Sequence, residues 1–364
     1  MGDRGDAARG WSPGLVAMVG AAAAVVTLAG LKASASIVGP TMLALLLTIA
    51  VSPLRARLER RRAPFWLCVA VPLVTVIVML LALGAGLALS AAQLATLLPT
   101  YSGQFTDLLH GVTGELAEHG IDQAKLQTAL SKLDPGQLFT FVQSFLNGLL
   151  SASSAIVLIV LMLVGMCLDA TGTVRTLERI RPQQPELVDA LRRFARDTTR
   201  YLVVSTVFGA IVAALDVVVL YVFDVPVPLL WGLLAFLTNY IPNIGFVIGL
   251  APPALLGLLE GGWTAMVWII VAYCVINFVL QSLVQPKFLG NAVGLSFTLV
   301  SLSLLLWAWV LGPLGAILAV PLSSLTKALL VDADPTKKWM TGLLGPAVDG
   351  PDPRPDPDVR PARN

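Results

Sequence analysis

The chain has 364 residues, 56% of them hydrophobic and only 13% charged, with a net charge of +2 and a mean hydropathy of +0.82. A soluble domain carries about 25% charged residues, so the composition excludes a water-soluble enzyme, and nucleic acid is not an implied partner. Apolar residues fall in blocks long enough to cross a hydrocarbon layer about 30 Å thick. The pattern predicts an all-α polytopic membrane protein with about six full transmembrane helices, two Pro/Gly-broken re-entrant helical hairpins and an external helical insert.

Residues 1–14 are polar and read as a cytoplasmic N-terminus. The apolar run Leu15 to Leu31 passes without a convincing cleavage site into Ile37 to Val51, which predicts a retained anchor rather than a signal peptide. Between Pro53 and Pro64 stand Arg55, Arg57, Arg60, Arg61 and Arg62 against Glu59 alone. Basic loops stay inside. The first two spans therefore read as an out-and-back hairpin, and a third, Phe65 to about Ala91, leaves again, so that 15–91 holds the first three transmembrane helices.

In 92–148 the acids Asp107, Glu115, Glu118, Asp122 and Asp134 outnumber Lys125 and Lys132, and Leu126, Leu130 and Leu133 recur at helical spacing. This predicts the external helical insert. A fourth span, 149–168, returns to a cytoplasmic segment, 169–200, that holds Arg175, Arg179, Arg181, Arg192, Arg193, Arg196 and Arg200. Its second half is amphipathic, with Leu187, Leu191, Phe194 and Ala195 opposite the arginines. It reads as a helix at the inner interface with its arginines near headgroups, in preference to a partner-docking site.

The fifth span runs from Tyr201 to Phe223. Trp231 to Leu259 is then continuously apolar but interrupted by Asn239, Pro242, Asn243, Gly245, Gly249, Pro252 and Pro253, and one straight helix of that length overshoots the bilayer core. Trp263 to Val284 is a plain span. Phe297 to Leu330 repeats the anomaly with Gly312, Pro313, Gly315 and Pro321. Paired Gly/Pro-broken segments in corresponding positions point to a transporter's binding site, because backbone groups freed by a break need protein, water or ligand as partners. The reading is a transport core, 201–330, with hairpins 229–259 and 297–330 entering from opposite sides; two kinked spans without a ligand are the alternative. Lys327, Lys337 and Lys338 place the C-terminus inside, and 331–364, dense in Pro, Asp and Arg toward its end, reads as a cytoplasmic, largely disordered tail.

Asp216 is the only acid well inside a span. A carboxylate there is costly and marks a cavity, a partner or a translocation path, which makes it the ion or proton candidate. Asn277, Gln281 and Gln285, at i, i+4 and i+8, share one helix face and either line a polar path or bond a neighbouring helix. The tips offer Asn239, Pro242, Asn243 and Gly245 on one side and Gly312, Pro313 and Gly315 on the other. Amides and open backbone without formal charge suit a neutral hydroxylated solute, and these residues with Gln281 and Gln285 are the substrate-binding candidates. Cys68, Cys167 and Cys274 lie far apart within apolar blocks, and His110 and His119 have no catalytic partner. No metal, cofactor or catalytic residue is expected, and the absence of GxxxxGK[ST] argues against an ATP-driven pump.

Three stretches, NYIPNIGFVIGLAPP at 239–253, QPKFLG at 285–290 with VGL at 293–295, and LGPLGAILAVP at 311–321, together resemble the bacterial autoinducer-2 exporter family, also called the PerM-like permeases. All lie within roughly 200–340; residues 1–199 agree in hydropathy, the basic loop and the external insert. Departures stand at Asn243, where many relatives have an aromatic residue, Phe246, where many have Pro, and Phe297, where Pro commonly follows the Gly-Leu motif. The resemblance implies a multi-pass protein of the bacterial inner membrane, a homo-pentamer whose two hairpins form the substrate site and move elevator-fashion in each protomer. Some relatives are associated with sodium–proton antiport. The expected function is export of a small polar hydroxylated metabolite such as autoinducer-2, with cation/proton antiport through Asp216 second. A non-transporting scaffold using 92–148 and 169–200 comes third, because it leaves the paired breaks unexplained.

Overall fold

The computed structural model describes residues 13–118, 135–242, 244–289 and 296–334. Among them every regular element is helical. Five helices are long and apolar enough to cross a membrane, and six when the bent pair Ile156–Ala170 and Gly172–Ile180, inclined by 51°, counts as one span. Residues 1–12 and 335–364, which hold most of the expected N-terminal and C-terminal tails, lie outside the described residues, as does Asn243.

Helix α1 (Pro13–Ala33) and helix α2 (Ala35–Ala50) meet at Ser34 alone. Ser34 donates its N–H to the Gly30 carbonyl, and its own carbonyl accepts from Ile37 and Val38. The out-and-back hairpin expected of these two runs would have to turn at this single residue. Val51 links α2 to the short basic helix α3 (Ser52–Arg60).

Helix α4 (Phe65–Glu118) has 54 residues and α5 (Pro135–Ile180) has 46. At 1.5 Å per residue each is more than twice as long as a bilayer core is thick. The described parts of the acidic 92–148 segment therefore continue the third and fourth spans rather than forming a separate unit. The same holds for the amphipathic stretch before the fifth span. Helix α6 runs unbroken from Pro185 to Val222, with Pro185 in the first turn, where its missing N–H costs nothing. Residues 185–200 are thus the first turns of a spanning helix, not a separate helix lying flat at the interface. Ala190 and Phe194 are buried against α2 and later helices, and Val188 is buried as well. Arg181–Asp189 and Arg192–Glu178 ion pairs stitch the corner between α5 and α6.

After Val222 come two helix–turn–helix units. The first is α7 (Pro228–Thr238), a turn over 239–244, and α8 (Gly245–Asn277), which is itself broken at Gly262, where φ is 68° and ψ −166°. A π-helical turn (Phe278–Val284) leads from α8 into α9 (Gln285–Leu289). The second unit is α10 (Phe297–Leu311) and α11 (Pro313–Lys327), joined at Gly312 with φ 67° and ψ −147°, and extended by a second π turn, Ala328–Asp332. Gly262 and Gly312 occupy a backbone region that is essentially closed to other residues.

The two units have different supports. The first packs with α4, the far end of α6 and the second half of α8 around Leu87, Leu220, Leu230, Trp231, Ile269 and Tyr273. The second packs with α2 and the first turns of α6 around Leu46, Phe194, Val310, Leu318 and Leu322. There Lys32 of α1 lies 3.9 Å from the Trp309 ring centre. Large apolar side chains such as Trp263, Trp268, Phe278, Leu305 and Trp309 point outward, as a lipid-facing surface requires.

Candidate functional site

Each helix–turn–helix is closed by small residues. A Cβ on Gly245 would overlap the Thr238 carbonyl, and one on Gly249 would sit 3.1 Å from Thr238 Oγ1 and 3.4 Å from Ala235 Cα. Glycines four apart thus let α7 and α8 cross at backbone contact, the device that packs helices where lipid removes the hydrophobic drive. In the second unit a Cβ on Gly315 would overlap the Trp307 carbonyl, and the Trp307 indole donates across the pair to Ser323 Oγ at 2.9 Å. Gly245 and Gly315, paired on sequence pattern, therefore have matching steric roles.

The first turn carries the polar chemistry. Asn239 donates through Nδ2 to the Ser205 carbonyl of α6 at 3.0 Å and accepts through Oδ1 from Gln281 Nε2, also at 3.0 Å. Gln281 reaches Asn277 Oδ1 from the same amide nitrogen, and Asn277 donates to the Tyr273 carbonyl at 2.9 Å. Tyr240 extends the contact along α6: Tyr201 donates to its carbonyl at 3.2 Å, and its hydroxyl lies 2.6 Å from Thr206 Oγ1. Gly209 makes room for this approach, because a Cβ there would stand 2.8 Å from Asn239 Nδ2.

These groups border a small cavity lined by Val212 and Asp216 of α6, Ala235 and Thr238 of α7, Asn239, and Phe246, Gly249, Tyr273, Asn277 and Gln281 beyond the turn. It has room for about one water molecule. Pro253 adds backbone polarity, since it lacks the N–H that would bond the Gly249 carbonyl four residues earlier. Asp216 and Tyr273 are each 1% exposed, and neither Asp216 Oδ1 nor the Tyr273 hydroxyl has a hydrogen-bond partner.

Of the candidates named from sequence, the structure gathers Asp216, Asn239, Asn277 and Gln281 at this cavity. Gln285 is buried one turn beyond Gln281 and is not among the lining residues. Pro242 and Gly245 shape the adjoining turn. Gly312, Pro313 and Gly315 do not line the cavity either; beside them Leu314 approaches Gly39 of α2. Sequence reasoning missed Tyr273, Thr238 and Gly209. Tyr273 lay within reach of it, since it stands four residues before Asn277 on the same face. Among the described residues no cluster of His, Cys, Asp and Glu is arranged to hold a metal ion.

Comparison with known proteins agrees with the architecture. The model of the AI-2E transporter family matches residues 22–333. The AI-2 transport protein TqsA of Escherichia coli K12 is 31% identical over 306 residues, covering 84% of this chain and 89% of TqsA. YhhT of the same organism, described as a candidate transport protein, is 29% identical over 89% of this chain and 93% of its own length. A candidate transport protein of Haemophilus influenzae Rd is 28% identical over 91% of this chain and 97% of its own. With helices that can span a membrane and a family match running through all of them, the chain belongs to the AI-2E family of membrane transporters.

Proposed function

We propose that this transporter exports a small polar hydroxylated metabolite such as autoinducer-2, and that the cavity at the first turn is its solute site. One observation carries the reading: Asn239, Asn277 and Gln281 converge from two helical segments and a turn on one buried cavity. Amide groups can donate to and accept from hydroxyls without a formal charge to desolvate. In the conformation described the cavity is too small for a metabolite, so loading requires the first turn to part from α6. The two helix–turn–helix units are proposed to be re-entrant and to move together as an elevator within each protomer of a pentamer, which the family resemblance supports. Basic segments 53–64 and 169–200 and both termini are assigned to the cytoplasmic side by the charge rule.

Proteoliposomes loaded with autoinducer-2 test the site. Gln281→Leu leaves the Asn239 and Asn277 oxygens without their shared donor. Efflux is expected to fall about five- to thirtyfold, as a lost interhelical hydrogen bond of about 1–2 kcal/mol implies. Wild-type efflux from a correctly inserted Gln281→Leu protein would overturn the assignment. Cation/proton antiport is the second reading, favoured by Asp216 lining the same cavity. Its signature is a sodium-driven pH-dye response without added solute, lost in Asp216→Asn.

A further inference from the structure

We infer that Asp216 and Tyr273 form a proton-exchanging subsite of the solute cavity, so that each hydroxylated molecule exported is exchanged for one proton. This rests on the export reading and adds its coupling ion.

Asp216 projects from α6 less than two turns before its end and Tyr273 from the second half of α8, and both line the cavity that holds the amides. Each is 1% exposed, and the two face the cavity with polar atoms that no protein group satisfies. Buried polar atoms are paired in the great majority of cases, so two polar atoms at one cavity without a protein partner are available to a solute's hydroxyls. The remaining described lining residues are Val212, Ala235, Thr238, Asn239, Phe246, Gly249, Asn277 and Gln281. Tyr273 is thus the other titratable group among them, and no Lys, Arg or His faces the carboxyl. An ionised Asp216 in the empty cavity has no counter-ion, and a lone charge at that depth is expensive. The empty site is therefore best served by the protonated carboxyl.

A bound solute changes this balance. Hydroxyl groups donating to a carboxylate stabilise its charged form, while the Tyr273 hydroxyl donates to a solute oxygen and Asn239 and Gln281 fix its orientation. Solute binding on the inner side displaces the proton from the Asp216 carboxyl to inner water. Solute departure on the outer side leaves the carboxylate unsolvated, and it takes a proton from outer water before the empty carrier returns. One O–H bond breaks and one forms per cycle, with no net change in the protein. The inward proton gradient would then drive solute outward.

Two measurements on the purified full-length chain test this. In weakly buffered detergent solution, adding autoinducer-2 should release about one proton per protein bound from wild type, and none from Asp216→Asn. In autoinducer-2-loaded proteoliposomes, acidifying the outside should speed wild-type efflux severalfold over symmetric pH. In Asp216→Asn that ratio should fall to one, whatever rate remains, and Asp216→Glu should restore part of it. Tyr273→Phe should weaken binding and keep the proton release. Release of autoinducer-2 that ignores the pH gradient in wild type, or a gradient response that survives Asp216→Asn, overturns the inference while leaving export standing. If wild type moves no autoinducer-2 in either assay, the export reading itself fails, and the inference with it.

Discussion

At the scale of single residues, the site depends on a few positions where side-chain size or one hydrogen bond decides the geometry. Gly209 is the clearest. It has no polar atom of its own to offer, yet an added Cβ would stand 2.8 Å from Asn239 Nδ2, and that amide is the flexible end of a side chain that can swing aside. Gly209→Ala should therefore break the Asn239–Ser205 link without disrupting the helix. The expected loss is about 0.5–1.5 kcal/mol of stability, a thermal shift of a few degrees at most in detergent, beside a much larger loss of autoinducer-2 efflux. Gly245 is different, because its neighbour is the Thr238 carbonyl, which cannot rotate out of the way. Gly245→Ala is expected to separate α7 from α8 and lower both thermal stability and flux. Equal stability in Gly245→Ala and wild type would show that the crossing tolerates an extra methyl.

At the scale of elements, two irregularities place the amides and the turns. In an α-helix, residues eight apart drift by about 80° around the axis, which would carry Gln285 off the face of Asn277. The π turn over Phe278–Val284, with its wider i→i+5 closure, takes back that drift, and Asn277, Gln281 and Gln285 are all turned inward. Inserting one alanine after Val284 should leave the π turn in place and rotate everything after it by about 100°. Gln285 would then leave the buried face, and the Arg200–Phe288 hydrogen bond of 2.8 Å would be lost with the Phe208–Phe288 ring contact. Loss of flux from a folded insertion protein is the expected result. Gly312 is the second irregularity: its φ of 67° with ψ of −147° is a conformation for glycine. Gly312→Ala should cost about 1–3 kcal/mol in unfolding free energy, read as a lower Tm, although open space surrounds the missing Cβ.

At the scale of the whole molecule, the proposed sidedness rests on the charge rule for loops and can be tested directly. With Cys68, Cys167 and Cys274 replaced by Ser, cysteines introduced as Arg62→Cys and His110→Cys should respond oppositely to an impermeant maleimide added outside cells. His110→Cys should label and Arg62→Cys should label only after lysis. Labelling of Arg62→Cys in intact cells would invert the arrangement and, with it, the proposed direction of export. The lengths of α4 and α5 bear on the same question. Each is more than twice as long as a bilayer core is thick, so part of each helix lies beyond the length a span needs.

Much of this was determined by the sequence alone. The helical class, the membrane setting, the two broken units and the family all follow from local properties: hydropathy, glycine and proline placement, and three motifs in register. Those properties act within a turn or two of chain, so they survive without knowledge of neighbours. What the sequence left open was everything set by contact between distant segments. The amphipathic pattern of 185–200 suits a helix on the interface as well as the first turns of a span, and only the packing of Ala190 and Phe194 against other helices separates them. Asp216 read as a lone acid, but its meaning comes from Tyr273, Asn277 and Gln281, which stand 57 to 65 positions later. Gly312, Pro313 and Gly315 matched the first tip in pattern and steric role, yet they do not line the cavity that Asn239 borders. A repeated motif repeats the local turn, whereas the partners that make a turn into a site belong to the tertiary structure.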